Sequence, residues 1–366
     1  MNYTQKDLVR IAQRENNTKR GYLVVDPMQG KHMAISPARA LELFTALAAK
    51  LKGKYSGEHI LVAGFAETAT AIGAQAAITL GSDYIQTTRE PIEGVNYLFF
   101  SEAHSHATEQ KLVKDDIDRA ISGVDRIIFA EDEVTTGNTI MNIIRLLNAT
   151  YKKEIRYTIL SLLNGMGKDS IERCENEKID LCYLVKTDHS TYEDIAARYT
   201  ADGDYIQPDS TPCSGYQTLQ VPGWMNARRL VSAKAYEEAC EAMTRDLLPR
   251  LGVSAGQSVL VIGTEEFMFP ALYLGRKLEE LGCTVRSHST TRSPIAVSRD
   301  PDYPLHIRWE LRSLYDENRR TFIYDIQKYD KVLILTDAPA MPAASLNTLL
   351  HGVKQNNSDV TIVRWY

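Results

Sequence analysis

Residues 127–139 read IIFAEDEVTTGNT. The apolar run Ile127-Ile128-Phe129-Ala130 predicts a buried strand. Three acids follow, Glu131, Asp132 and Glu133, and then a small, hydroxyl-rich turn, Thr135-Thr136-Gly137-Asn138-Thr139. Beyond it, Ile140, Ile143, Ile144, Leu146 and Leu147 recur at helical spacing. The order is therefore strand, acidic rim, anion-cradling loop, helix. Carboxylates at the carboxyl end of a strand bind sugar hydroxyls or Mg²⁺, and free N–H groups at a helix start bind phosphate. An acid cluster alone is usually a solvated turn, and TTGNT alone is often an N-cap. Together, in this order, they point to a ligand that carries both hydroxyls and phosphate.

The flanking segments fit an alternating pattern. Tyr22–Val25 reads as a short strand, and Ser36-Pro37 as a helix start with Ser as N-cap. Ile60–Gly64 predicts another buried strand, followed by the loop Phe65-Ala66-Glu67-Thr68-Ala69-Thr70 and a helix of small residues, AIGAQAAITL. Small residues at such a turn let backbone amides approach an anion closely, although a plain tight crossover reads the same way. Thr87-Thr88-Arg89 ends a strand, and Arg89 suits an anion clamp because a guanidinium grips phosphate oxygens in a fork. In the polar stretch SEAHSHATEQK, His104 and His106 stand two apart, either as exposed side chains or as proton donors or metal ligands. Ile155–Leu163 and Leu181–Val185 predict further strands. Strands alternating with helices imply a parallel, doubly wound α/β sheet.

The chain has 366 residues, enough for two domains. A Gly, Pro, Ser, Asp and Tyr-rich stretch from 200 to 224 reads as a linker with its boundary near 210, dividing the chain into 1–209 and 210–366. A formal net charge of −5 without a long basic run argues against dedicated nucleic-acid binding. No apolar run is long enough for a membrane span, and the polar start MNYTQKDLVR does not read as a signal peptide. The five cysteines are scattered, with no C-x-x-C pair, as expected of a reduced, cytoplasmic protein without structural zinc.

The second half echoes the first in the same order at three places. HILVAGFAETATAIGAQAA from His59 parallels SVLVIGTEEFMFPALYLGR from Ser258. Thr87-Thr88-Arg89-Glu90-Pro91-Ile92 parallels Thr290-Thr291-Arg292-Ser293-Pro294-Ile295. Asp125-Arg126 before IIFAED parallels Asp330-Lys331 before VLILTD, which pairs Asp132 with Asp337. This predicts a duplicated unit; two unrelated Rossmann-like units would share only the strand–Gly–helix part. In the second copy APAMPAA replaces EVTTGNT, and Pro339 and Pro342 remove N–H donors that a phosphate would need.

The stretch at 127–139 resembles the 5-phosphoribosyl-1-diphosphate (PRPP) motif of type I phosphoribosyltransferases. The run Thr290-Thr291-Arg292-Ser293-Pro294 resembles the signature of the TRSP domain, which follows such a transferase domain in bacterial tellurium-resistance-associated gene clusters. The KRGYLVV…GKH opening and the SHATE segment resemble the matching transferase half, so the resemblance covers nearly the whole chain. It implies two Rossmann-like parallel-sheet domains, the first a type I phosphoribosyltransferase fold and the second a degenerate repeat. It implies that Glu131 and Asp132 hold the ribose hydroxyls, and that Thr135, Thr136, Gly137, Asn138 and Thr139 wrap the 5-phosphate. The pyrophosphate loop would be Ala66, Glu67, Thr68, Ala69 and Thr70, helped by Arg89 and Lys31. His104 or His106, on a closing loop, would protonate the leaving group. Mg²⁺ would be held mainly through PRPP, with Glu131 and Asp132 as further ligands. Glu in the first acid position is within the family's range. Glu133 is a departure, since an aliphatic residue is commoner there, and its added charge calls for a metal or a basic partner.

The implied activity is Mg²⁺-dependent phosphoribosyl transfer from PRPP to a base-like acceptor, in the making of a nucleoside-like metabolite. Arg292, Glu265 and Glu266 would supply acceptor contacts from the second half, Arg292 foremost; the other reading of Arg292 is a surface or interdomain salt bridge. The expected partners are small molecules, with a homodimer or proteins of the same gene cluster besides. Two rivals stand beside this reading: a nucleotide-cleaving ribosyl enzyme, and a sensor that binds PRPP or nucleotides without turnover.

Overall fold

The structure, a computed structural model describing residues 2–15, 20–100 and 110–366, turns each apolar run into a central strand. Its contacts divide the chain into two compact units. The first is built mainly from Leu41–Thr187 and Met225–Ala239, and the second from Thr4–Ala40, Asp188–Trp224 and Cys240–Tyr366. This differs from a single cut at 209/210. The N-terminal hairpin and the whole stretch read as a linker, 200–224, belong with the second unit, while 225–239 belongs with the first.

In the first unit, β1 (Ile60–Gly64), β2 (Asp83–Gln86), β3 (Arg126–Val134), β4 (Arg156–Asn164) and β5 (Ile179–Lys186) form a parallel sheet in the order 2-1-3-4-5. A short strand, Val231–Ser232, joins antiparallel to β2 at the edge. Ile127 to Ala130 are all at most 2% exposed, as expected for a parallel sheet covered on both faces. Helices α1 (Thr70–Leu80) and α2 (Asn138–Thr150) follow β1 and β3. The small residues of α1 serve close contact. A Cβ added at Gly73 would lie 2.7 Å from the Gly64 Cα, so this helix sits almost on the strand backbone. The edge is further tied by Arg229, whose guanidinium grips the buried Asp116 carboxylate at 2.5 and 2.9 Å.

The second unit repeats this plan. Its strands β6 (Ser258–Gly263), β7 (Thr284–Ser289), β8 (Lys331–Thr336) and β9 (Val360–Trp365) are parallel in the order 7-6-8-9, matching 2-1-3-4. Gln217–Val221 adds a parallel edge strand beside β9. It escaped the sequence reading because an edge strand is largely exposed and need not be apolar. Helices α3 (Phe269–Glu280) and α4 (Ala343–Lys354) follow β6 and β8.

The turns correspond bond for bond. The Thr87 amide donates to the Gly64 carbonyl at 2.9 Å, and that of Thr290 to Gly263 at 3.0 Å. The Ala66 amide donates to the Thr87 hydroxyl at 2.8 Å, and that of Glu265 to the Thr290 hydroxyl at 3.0 Å. The His59 and Ser258 amides donate to the Asp125 and Asp330 carboxylates at 2.9 and 2.8 Å. Shared strand order with shared turn bonds makes the second unit a repeat of the first. An N-terminal hairpin (Arg10–Gln13 with Tyr22–Val25) completes the second unit, where Ala12 and Val25 share a core cluster with Ile295, Leu305, Phe322 and Tyr324.

Candidate active site

Three loops leave the first sheet at one level, because Gly64 pairs with both Gln86 and Ala130. They are Phe65–Ala69 after β1, Thr87–Glu90 after β2, and the acid-and-threonine stretch of β3. The chain passes from β1 to β2 on one side and returns to β3 on the other. The crevice between β1 and β3 is thus a topological switch point, where open α/β sheets bind ligands.

The acids are part of β3, not a rim beyond it. β3 parts from β1 after Ala130 but runs on against β4 to the Val134–Asn164 pair, which supplies backbone partners to residues of any polarity. Glu131, Asp132 and Glu133 are half-buried on this overhang. Burial, then the neighbouring Asp132 carboxylate, hold the Glu131 carboxyl well above its usual range; Arg89 pulls it down, and Glu133 adds to the rise. Arg89 is thereby placed electrostatically at the acids. Carboxylate oxygens are the hard donors that Mg²⁺ takes when the oxygens of a ligand complete its shell.

The phosphate-type loop is short. Gly137 caps α2 at φ 69°, a left-handed conformation that favours glycine, and a Cβ there would meet the Met166 Cε at 2.7 Å. Asn138 and Thr139 are already in the first turn of α2, whose leading N–H groups have no intrahelical carbonyl to reach. Thr136 and Asn138 are exposed, and Thr135 and Thr139 half-buried, so the loop faces outward. Arg173 braces it, donating to the Thr136 carbonyl at 2.6 Å and the Asn138 Oδ1 at 3.1 Å. The sequence reading missed this residue; no local pattern links it to a loop more than thirty positions earlier. It also missed the pin made by Thr87, whose hydroxyl accepts from the Ala66 amide and donates to Gln110 Oε1 at 2.8 Å.

Of the proposed pyrophosphate loop, Ala66 and Ala69 are buried, Glu67 and Thr68 are half-exposed, and Thr70 opens α1. Lys31 belongs to the second unit, where it is fully buried and donates to the carbonyls of Glu265 and Thr290 at 3.0 and 3.1 Å. Arg292 also belongs to the second unit, with its Nε 2.8 Å from Glu265. His104 and His106 fall outside the described residues. Among the described residues, no group of three or more His, Cys, Asp or Glu forms a protein-only metal centre, and no helix is long and apolar enough to cross a membrane.

Residues 8–189 match the family described as phosphoribosyl transferase, and residues 223–353 match the TRSP domain found C-terminal to it. The chain belongs to the phosphoribosyltransferases that carry a TRSP domain. The acids, the loop and Arg89 all lie in the segment that matches the phosphoribosyl transferase family. No curated protein matches it. Solved structures similar to the transferase include the adenine phosphoribosyltransferase of Thermoanaerobacter pseudethanolicus. That match is 17% identical, covers 50% of this chain and 97% of the other, and has a TM-score of 0.35. The Giardia lamblia adenine phosphoribosyltransferase, complexed with 9-deazaadenine, gives 15%, 50%, 95% and 0.35 for the same four measures. The Staphylococcus aureus hypoxanthine phosphoribosyltransferase gives 15%, 44%, 79% and 0.27.

Proposed function

We propose that this transferase moves a 5-phosphoribosyl group from PRPP to a nitrogenous, base-like acceptor and releases pyrophosphate. The observation that supports this most is the overhang of β3. It sets Glu131 and Asp132 beside the switch-point crevice and joins them, within three residues, to an outward loop at a helix start. A new bond forms between the acceptor nitrogen and the anomeric carbon while the bond to the pyrophosphate oxygen breaks. Positive charge develops on the ring, as in glycoside chemistry.

In this reading the loop 135–139 anchors the 5-phosphate, and binding energy from that remote group positions the reacting carbon. Glu131 and Asp132 orient the ribose hydroxyls and stand near the developing charge. Arg89 and the turn 66–70 receive the pyrophosphate. Mg²⁺, held by PRPP oxygens with Glu131 and Asp132 beside them, would neutralise the leaving group. Arg173 touches no reacting group; it keeps the loop in shape.

The test is calorimetric titration of PRPP with Mg²⁺ into the wild type and Asp132→Asn, followed by a screen of bases for pyrophosphate release. The expected result is Mg²⁺-dependent binding, release with at least one base, and a loss of about two to three decades of turnover in the variant. The variant should melt like the wild type. A folded wild type that binds no PRPP, or a folded Asp132→Asn of full activity, would overturn the assignment. Binding without release for any base would favour the sensor instead.

A further inference from the structure

The second unit holds a buried ionic cluster at the place where the first unit carries its site. It surrounds the crevice after β6, β7 and β8, the switch point of the repeat. Glu265 and Glu266 follow β6, Arg292 follows β7 and Asp337 follows β8. By the correspondence of turns, Glu265 stands where the first unit has Ala66, Glu266 where it has Glu67, Arg292 where it has Arg89, and Asp337 where it has Asp132. One position changes character: a methyl group in the first unit is a carboxylate in the second.

That carboxylate is gripped as a bound anion would be. Its Oε2 lies 2.8 Å from the Arg292 Nε and 3.1 Å from a terminal nitrogen of Arg319, and its Oε1 accepts from the Ser313 hydroxyl. Arg319 also donates to Ser313 at 2.9 Å, which closes the ring. Arg292 reaches Glu266 at 3.7 Å as well. Glu265 is 1% exposed and adopts φ 51°, a left-handed conformation that is uncommon for a residue with a side chain. Its backbone is held there while its side chain contacts two guanidinium groups and a hydroxyl. The fully buried ammonium of Lys31 braces the two loops from their carbonyls. Charges at this edge balance, with Arg292, Arg319 and Lys31 against Glu265, Glu266 and Asp337. A phosphate-type ligand added to this set would leave the cluster with excess negative charge.

We propose that the second unit contains an anion site of the phosphate or pyrophosphate class that is closed from within, with the Glu265 carboxylate standing in the ligand's place on Arg292 and Arg319. The plug is a single side chain. This stands on the second unit alone and does not depend on the reaction proposed for the first.

The experiment uses the full chain and inorganic pyrophosphate as the probe. Glu265→Gly removes the carboxylate and suits the left-handed backbone. Calorimetric stoichiometry for pyrophosphate should rise by one site per chain over the wild type, and adding Arg292→Ala should remove that extra site. A folded Glu265→Gly protein with the wild-type stoichiometry would overturn the proposal, as would an extra site that survives Arg292→Ala. If Glu265→Gly does not fold by itself, it is refolded in millimolar pyrophosphate and, separately, in chloride at matched ionic strength. Recovery in pyrophosphate alone supports the plug; failure in both, or equal recovery in both, counts against it.

Discussion

At the scale of single residues, Glu131 carries the most physical information. Burial and the Asp132 charge raise its folded value above the ordinary 4.5. Between 4.5 and that raised value, the folded chain keeps a proton that the unfolded chain has released. Stability must therefore fall as pH rises through this window. Glu131→Gln removes the penalty, so the variant should melt higher than the wild type near neutral pH, by about 2–4 °C for each kcal/mol relieved. Below the ordinary carboxylate value the two should converge. Melting curves from acid to neutral pH check this, and a variant that melts lower throughout would show that Glu131 is a stabilising charge. Mg²⁺-loaded PRPP should drive Glu131 to ionise, so binding should release a proton in the wild type and not in Glu131→Gln. Titration in buffers of different ionisation enthalpy measures that proton directly.

At the scale of elements, the strand–loop–helix unit around 127–139 works because β4 holds the polar end of β3 and Arg173 holds the loop. Arg173→Ala should raise the KM for PRPP roughly tenfold, the equivalent of one charge-assisted hydrogen bond, with little change in melting temperature. Gly137→Ala should act differently. It forces a side chain into the left-handed region, which costs about 1–2 kcal/mol, so it should lower both stability and PRPP affinity. Kinetics and melts on the two variants separate the effects; equal melting losses would mean that Arg173 is part of the core. The apolar run, the acids and the α2 periodicity were legible in the sequence because each is a local pattern. The length of β3 was not, since Glu131 to Val134 are strand by virtue of a neighbour thirty residues later. Arg173 was invisible for the same reason, and Gln217–Val221 because polar edge strands leave no hydrophobic signature. The repeat, by contrast, was readable, because turn residues such as Thr87 and Thr290 do the same bonding in both copies.

At the scale of the whole molecule, sequence order and spatial units disagree. The cut at 209/210 follows composition, which marks Pro- and Gly-rich stretches but says nothing of where their neighbours pack. Residues 225–239 complete the first unit, and Thr4–Ala40 with Asp188–Trp224 complete the second. The two halves should therefore not fold when expressed apart. A 1–209 fragment loses the Val231–Ser232 edge strand and leaves the Asp116 carboxylate, 1% exposed, without the Arg229 pair. Asp116 keeps Arg119 but loses both Arg229 bonds and the Leu230 amide, and a hydrogen bond to a charged group is worth about 1.5–3 kcal/mol against a typical total stability of about 5–15 kcal/mol. The same fragment exposes Ala12 and Val25, whose core partners Ile295, Leu305, Phe322 and Tyr324 lie beyond the cut. The complementary 210–366 fragment loses Lys31 from beneath the loops of Glu265 and Thr290. Neither fragment should show a cooperative thermal transition, whereas co-expression of the two should restore one by letting both units reassemble from the two fragments. Circular dichroism melts of each fragment and of the co-purified pair decide the matter. A 1–209 fragment that melts cooperatively within a few degrees of the full chain would mean that the exchanged segments decorate the units without holding them together.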